Sequence, residues 1–172
     1  MSREVSIQDP DLVRAAFRPL LDLDIMSWKG LPRITGETLE AAFGAPAETE
    51  DTELGWYPAQ RLRYVMNTAS GGFNAYIRNN EVVLIETATA PSAAVLHDLG
   101  APAAVMPNEV LADKAYVHEY LYCARGLVLS VAEPFNKEQP ARIVRCRGIH
   151  PIDGPEQFGP ELFMAFEDKT LW

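Results

Sequence analysis

The chain has 172 residues, of which 48% are hydrophobic and 23% are charged, and this composition excludes wholesale disorder. Its formal net charge of −9 disfavours binding to nucleic acid, because a phosphate backbone needs a basic surface. An acidic surface favours solubility alone, a basic protein partner or mimicry of nucleic acid. No apolar run approaches the roughly 20 residues that cross a bilayer, so we expect no membrane association.

The N-terminus and the cysteines bear on the cellular compartment. Residues 1–5 do not begin an apolar segment followed by a small-residue cleavage site, so we expect no secretory signal and a cytoplasmic location. Cys123 and Cys146 both fall within strand-like runs. We expect them to be reduced core residues rather than a disulfide.

An amphipathic helix is predicted near the start of the chain. Asp9 and Pro10 form an N-cap followed by a proline at the first helical position. Apolar residues then recur at helical spacing to about residue 23. Pro19 is expected to bend this helix or end it early. The helix and a connector make up an N-terminal segment of residues 1–34.

A first α/β unit is predicted over residues 35–88. Thr35 is an N-cap for a helix over residues 36–43, and Gly44 is suited to end that helix. An acidic loop follows over residues 48–54. Asn79-Asn80 predicts a tight hairpin, because asparagine tolerates the positive φ of a type I′ turn. Three strands are expected, over residues 61–67, 72–78 and 81–87.

A second unit over residues 89–148 repeats this order. A short helix over residues 91–99 ends at Gly100, and residues 133–140 form a long loop in place of the tight hairpin. Strands are expected over residues 116–123, 127–132 and 141–147. Residues 149–172 are rich in proline and glycine, and we predict a C-terminal tail that packs on the body.

The two units share a short sequence motif. Phe43-Gly44-Ala45-Pro46-Ala47 closes the first helix, and Leu99-Gly100-Ala101-Pro102-Ala103 closes the second. Tyr64 and Tyr120 are separated by the same offset as the two glycines. We therefore predict an internal duplication in an α+β protein. It would contain two tandem helix-plus-antiparallel-meander units, an added N-terminal helix and an irregular tail, all in one compact domain.

The sequence lacks a complete catalytic or metal-binding pattern. His97, His118 and His150 do not have the spacing of a metal site. Ser70 precedes two glycines but lacks the GxSxG pattern of a nucleophile elbow. We therefore predict no catalytic residue, no metal and no other cofactor.

Aromatic and acidic residues are the candidates for binding. Tyr116, His118, Tyr120 and Tyr122 alternate along one predicted strand, so they share one face. On an open sheet face this row would make a binding platform, whereas in the core it would be ordinary packing. Two further aromatic residues and four acidic residues lie close together in the first unit: Trp56, Tyr57, Glu48, Glu50, Asp51 and Glu53. The acidic residues are a solvated loop, a contact surface for a basic partner, or a weak calcium site that lacks the EF-hand pattern.

These patterns resemble the β-lactamase-inhibitor-protein type of fold and the related small bacterial lipoprotein domains of the outer-membrane assembly machinery. The resemblance covers about residues 35–147. It is carried in the second unit by Leu99-Gly100-Ala101-Pro102, Tyr120-Leu121-Tyr122 and Gly126-Leu127-Val128-Leu129, and in the first by Phe43-Gly44-Ala45-Pro46, Tyr64 and Gly72-Phe73. The chain lacks a lipobox cysteine and the paired cysteines expected of the secreted inhibitors. The resemblance implies a non-enzymatic scaffold whose sheet face and loops hold another protein.

Three functions follow as hypotheses. The first is a protein-binding module of the inhibitor or immunity type, which occludes a partner, a basic protein being one candidate, through the strand with the tyrosines and the acidic loop. The second is a small-molecule binder or cofactor-free enzyme, with a pocket between sheet and helices near His118 that uses Tyr120 and either Glu119 or His150. The third is a subunit of a larger assembly, with an apolar patch over residues 158–172.

Overall fold

The computed structural model describes residues 6–55, 57–112 and 115–157. It contains three α-helices and one antiparallel sheet of eight strands, which confirms the predicted α+β class. No helix in these ranges is long and apolar enough to cross a membrane. Trp56 and the apolar residues from 158 onward, which carry part of two functional hypotheses, lie outside the described residues.

The first two helices begin at their predicted capping residues, Asp9 and Thr35. Helix α1 spans Pro10–Leu21, and the Asp9 side chain accepts a hydrogen bond from the backbone N–H of Asp11. Helix α2 spans Gly36–Phe43 after the Thr35 cap, and helix α3 spans Val95–Leu99. Short 3₁₀ helices span Ile25–Ser27, Cys123–Arg125 and Pro155–Gln157.

Two helix predictions need correction. Helix α1 continues through Pro19 to Leu21, because Leu20 and Leu21 on its last turn are buried in the core. Helix α3 starts four residues later than predicted, at Val95. Ala94 before it gives no side-chain cap, and its apolar residues Val95, Leu96 and Leu99 are only partly buried against the main core.

The eight strands form two meanders. Strands β1–β4 span Glu48–Leu54, Tyr57–Val65, Gly72–Arg78 and Glu81–Thr87, and strands β5–β8 span Ala104–Ala112, Ala115–Tyr122, Leu127–Pro134 and Arg142–Gly148. Their order in the sheet is β1-β2-β3-β4-β8-β7-β6-β5. Within the sheet, the described strands of the two meanders pair with each other only where β4 meets β8, through the pairs Ile85 with Gly148 and Glu86 with Arg147. Helix α2 precedes the first meander in the chain, and helix α3 precedes the second.

The predicted acidic loop is instead the edge strand β1. Glu48 and Glu50 lie opposite Arg63 and Arg61 of β2, so each acidic side chain faces a basic one across the strands. Charged residues on an edge strand also discourage pairing with another chain. The Asn79-Asn80 turn is confirmed, since the two residues have φ of 50° and 64°. The predicted loop over residues 133–140 starts two residues later, because β7 extends to Pro134.

One face of the sheet packs against α1, α2 and the connector between them. Phe17, Trp28, Leu39, Phe73 and Leu129 belong to this main core. The Trp28 indole N–H donates a 3.1 Å hydrogen bond to the Gly126 carbonyl, which ties the connector to the second meander. Cys146 lies in the same core, and both cysteines are buried free thiols as predicted. The opposite face, here called the inner face, carries a smaller apolar cluster that includes Leu54, Leu84, Leu121 and Val128.

Candidate functional site

The tyrosine side chains of β6 point to the face of the sheet that packs against the helices. Tyr116, His118, Tyr120 and Tyr122 pair with alternate residues of β7 from Glu133 to Leu127, so they share one face as predicted. Tyr122 is buried in the main core and Tyr120 packs against that core. Of the two alternatives for this row, Tyr122 therefore follows core packing; alternation identifies a shared face but not which face the helices cover. Only the end of the row with Tyr116 is exposed.

Five side chains form a compact surface at this exposed end, here called the aromatic corner: Tyr116, His118, Tyr120, Glu133 and Phe135. The Tyr116 and Phe135 rings meet edge to face with centroids 4.6 Å apart. The two side chains are 53% and 50% exposed. The Tyr116 and His118 ring centroids lie 6.5 Å apart. Strands β6 and β7 hold all but Phe135, which follows the end of β7 directly.

A carboxylate fixes the base of the aromatic corner. The Tyr120 hydroxyl donates a hydrogen bond to Glu133 Oε1, and His118 Nε2 lies 3.5 Å from Glu133 Oε2. Burial, followed by the hydrogen bond and negative charge of Glu133, raises the pKa of Tyr120 to about 12. Tyr120 therefore keeps its proton and remains a donor to Glu133 at neutral pH. Among the described residues, His118 Nδ1 has no hydrogen-bond partner although it is buried.

Sequence reasoning did not find Glu133 and Phe135. Both fall in the stretch that was predicted to be a loop, and neither belongs to a motif. The strand register could have predicted the position of Glu133. When the pairing of β6 with β7 is extended to the ends of both strands, Glu133 lies opposite Tyr116.

The acidic and aromatic residues of the first unit lie far from the aromatic corner in strand order, since five strands separate β1 from β6. All four acidic residues are exposed; Glu48 and Glu50 point to one face of β1, and Asp51 and Glu53 point to the other. Tyr57 is exposed, and the Arg78 guanidinium lies 5.2 Å from its ring centroid. The described residues do not bring this set and the tyrosine strand into one surface.

A second polar site lies within the sheet and was not predicted. We call it the inner-face network, and its members are Glu86, Glu119, Ser130, Arg145 and Arg147. Arg147 Nε lies 3.2 Å from Glu86 Oε2, and Arg145 Nε lies 3.5 Å from Glu86 Oε1. Ser130 Oγ donates a 2.6 Å hydrogen bond to Glu119 Oε2 and accepts one of 3.1 Å from Arg147 Nη1. Glu119, Ser130 and Arg147 are buried.

Two carboxylates and two guanidinium groups balance the charge of this network. Such balance is required because an unpaired buried charge is strongly destabilising. The network reaches Tyr76 on β3, whose pKa is raised by burial and by Glu86, in part offset by Arg61 and Arg147. Beside it, a groove of about 350 Å³ opens over β2 and β3, with Arg61, Arg63 and Asn74 in its lining.

The polar residues proposed for a pocket near His118 do not converge. Glu119 points to the inner face, opposite to His118 and Tyr120. His150 is held elsewhere, since its ring nitrogens lie 2.9 Å and 3.1 Å from the carbonyl oxygens of Leu31 and Val82. These contacts give His150 a structural role between the connector and β4.

Comparison with known proteins identifies no relative of this chain. No protein-family model, curated protein or solved structure matched the chain.

Proposed function

We propose that this chain is a non-catalytic protein-binding module of the inhibitor or immunity type, which occludes a partner through the aromatic corner. The observation that carries the proposal is the exposed pair Tyr116 and Phe135, held edge to face beside Glu133. Aromatic side chains contribute a large share of binding energy at protein interfaces.

The contacts that hold the aromatic corner support this function. Tyr116 and Glu133 are cross-strand partners, and the hydrogen bond from Tyr120 fixes the Glu133 carboxylate. A surface that is already ordered loses little conformational freedom when it binds. The net charge of −9 would attract a basic partner and raise the association rate. The same proposal includes a cytoplasmic location.

The arrangement of the two meanders supports the further proposal of an internal duplication and of a fold like that of β-lactamase inhibitor protein. Gly44 and Gly100 end α2 and α3 with φ of 82° and 71°. Strands β1 and β5 each begin four residues after these glycines, at Glu48 and Ala104. A scaffold of this kind would present a sheet face and its loops to another protein.

The test is capture of partners from a lysate of the native host on the purified chain, compared with a double variant, Tyr116→Ser with Phe135→Ser. Both side chains are exposed, so we expect the variant to fold. The proposal predicts a specific partner that the double variant loses and that added salt weakens. The control is Tyr57→Ser, which removes a tyrosine that is also 53% exposed but lies on β2. Loss of the partner with this control instead would overturn the assignment to the aromatic corner.

A further inference from the structure

We infer that the aromatic corner receives the cationic side chain of an arginine or lysine on the partner protein. This inference rests on the proposed function and specifies the chemistry of the contact. It is carried by three features of the aromatic corner: the angle between two exposed rings, the acceptor sites of a held carboxylate, and the charge around that carboxylate.

The first feature is the pair of rings. The planes of Tyr116 and Phe135 are inclined at 67°, so the two side chains form two walls rather than a flat stack. The faces of aromatic rings attract cations, because their π electrons carry partial negative charge. The methylene stem of a lysine or arginine can pack against the same rings while its charged end reaches further.

The second feature is Glu133. Its side chain is 43% exposed, so an incoming group can reach the carboxylate. Tyr120 occupies one acceptor site on Oε1, and His118 faces Oε2. An ionised carboxylate offers about four acceptor sites, so further sites remain for a guanidinium or ammonium group.

The third feature is local charge. Among the described residues, His118 is the only basic side chain that lies within ion-pair distance of Glu133. Arg142, on the neighbouring strand β8, is in register with Ala132, whose side chain points to the face opposite that of Glu133. The carboxylate is therefore not neutralised by a lysine or arginine of the described chain.

These features select among possible partners. An apolar partner surface that covered Tyr116 and Phe135 would also remove Glu133 from water without giving it a counter-charge, which is costly. An anionic group would meet Glu133 directly and be repelled. A basic side chain satisfies both the rings and the carboxylate.

The test uses two isosteric probes, N-acetyl-arginine methylamide and N-acetyl-citrulline methylamide, which differ in charge. Each is titrated into the isotope-labelled full chain, and backbone amide chemical shifts are recorded. We expect saturable shifts at Tyr116, Glu133 and Phe135 with the arginine probe and at least tenfold weaker binding of the citrulline probe. Equal binding of both probes, or shifts confined to other parts of the chain, would overturn the inference.

Two variants locate the contact. Glu133→Gln keeps the size of the side chain and should weaken the arginine probe at least tenfold. Glu138→Gln is the matched control, because this exposed residue lies after β7 in the same connection and should leave the affinity unchanged. An unchanged affinity in Glu133→Gln, with an intact amide spectrum, contradicts the inference.

Partner capture separates this inference from the proposed function. A partner lost with Tyr116→Ser and Phe135→Ser but fully retained by Glu133→Gln supports protein binding and rejects recognition of a cation. A partner retained by all of these variants rejects both. Loss of the partner in Glu133→Gln, together with discrimination between the two probes, supports both.

Discussion

Ser130 and Glu119 are cross-strand partners on β7 and β6, and the serine hydroxyl donates a 2.6 Å hydrogen bond to the carboxylate. Arg147 Nη1 lies 3.1 Å from the same serine oxygen and 3.7 Å from Glu119 Oε2. All three residues are buried. Each polar group therefore depends on the others for compensation of its lost hydration.

Replacing Arg147 with methionine should destabilise the fold strongly. The variant removes a positive charge that contacts Glu86 and Glu119, leaving Glu119 buried with a diminished set of partners. We expect the free energy of unfolding, measured by urea denaturation, to fall by about 3–5 kcal/mol. The control is Arg18→Met, because the Arg18 side chain is 81% exposed in its pair with Asp22 and should change stability by less than about 1 kcal/mol. Equal losses in the two variants would contradict this account of the inner-face network.

The stability of the protein should fall at high pH, in part through Tyr64. Its hydroxyl donates a 3.1 Å hydrogen bond to the Gly44 carbonyl. Burial, followed by the charge of Glu40, raises the pKa of Tyr64 from 10.0 to about 12. Below pH 10 both the folded and the unfolded state keep the proton. Between about pH 10 and 12 the unfolded state releases it first, so the free energy of unfolding decreases as pH rises.

The check on Tyr64 is a comparison with Tyr64→Phe. Denaturation of both proteins at a series of pH values from 8 upward should give a shallower decrease for the variant, because the ionisable hydroxyl is gone. Parallel curves would show that Tyr64 does not contribute to the decrease.

The cysteines should be unreactive in the folded protein. Burial raises the pKa of Cys146 to about 12, and it also raises the pKa of Cys123. Since the thiolate is the nucleophile, iodoacetamide at pH 8 should label both residues slowly in buffer and rapidly in concentrated urea. Mass spectrometry of peptides separates the two sites. Rapid labelling of Cys146 without denaturant would contradict the burial seen in the structure.

Replacing Gly126 with alanine should lower the free energy of unfolding more than the same replacement at Asn79, which also has a positive φ. Gly126 has φ of 58°, and a Cβ atom there would collide with the carbonyl oxygen of Ile149. Asn79 has φ of 50° but lies in the exposed hairpin turn. We expect Asn79→Ala to reduce the free energy of unfolding by about 1–2 kcal/mol at most, from backbone strain alone. Gly126→Ala should exceed that value in the same urea experiment, and a smaller loss would contradict the crowding at this position.

The elements that the sequence predicts well are those with local signals. Thr35 and Gly44 define the ends of α2, and Asn79-Asn80 defines the turn between β3 and β4. Strand β1 lacks such a local signal. Its glutamates pair with Arg61 and Arg63 on the neighbouring strand β2, and these contacts stabilise the strand. An acidic stretch read alone has the composition of a solvated loop.

The two candidate sites also depend on contacts that local sequence patterns do not predict. Alternation places Tyr116 and Tyr122 on one face, but only the position of the helices decides that Tyr122 is buried and Tyr116 exposed. The inner-face network depends on strands β4 and β8 meeting in the sheet. Glu86 and Arg147 lie far apart in the sequence, and no local pattern relates them.

The narrow junction between β4 and β8 has a consequence for the order in which the chain folds. Every other strand pairing joins consecutive strands, so each meander can assemble through hairpins with short connections. The junction must instead close the long loop between Ile85 and Gly148, and it forms only two residue pairs between the strands, so its closure depends also on the main core that both meanders share. We therefore expect the two meanders to form early and independently, with their docking, and with it the ion pair between Glu86 and Arg147, as the late step of folding.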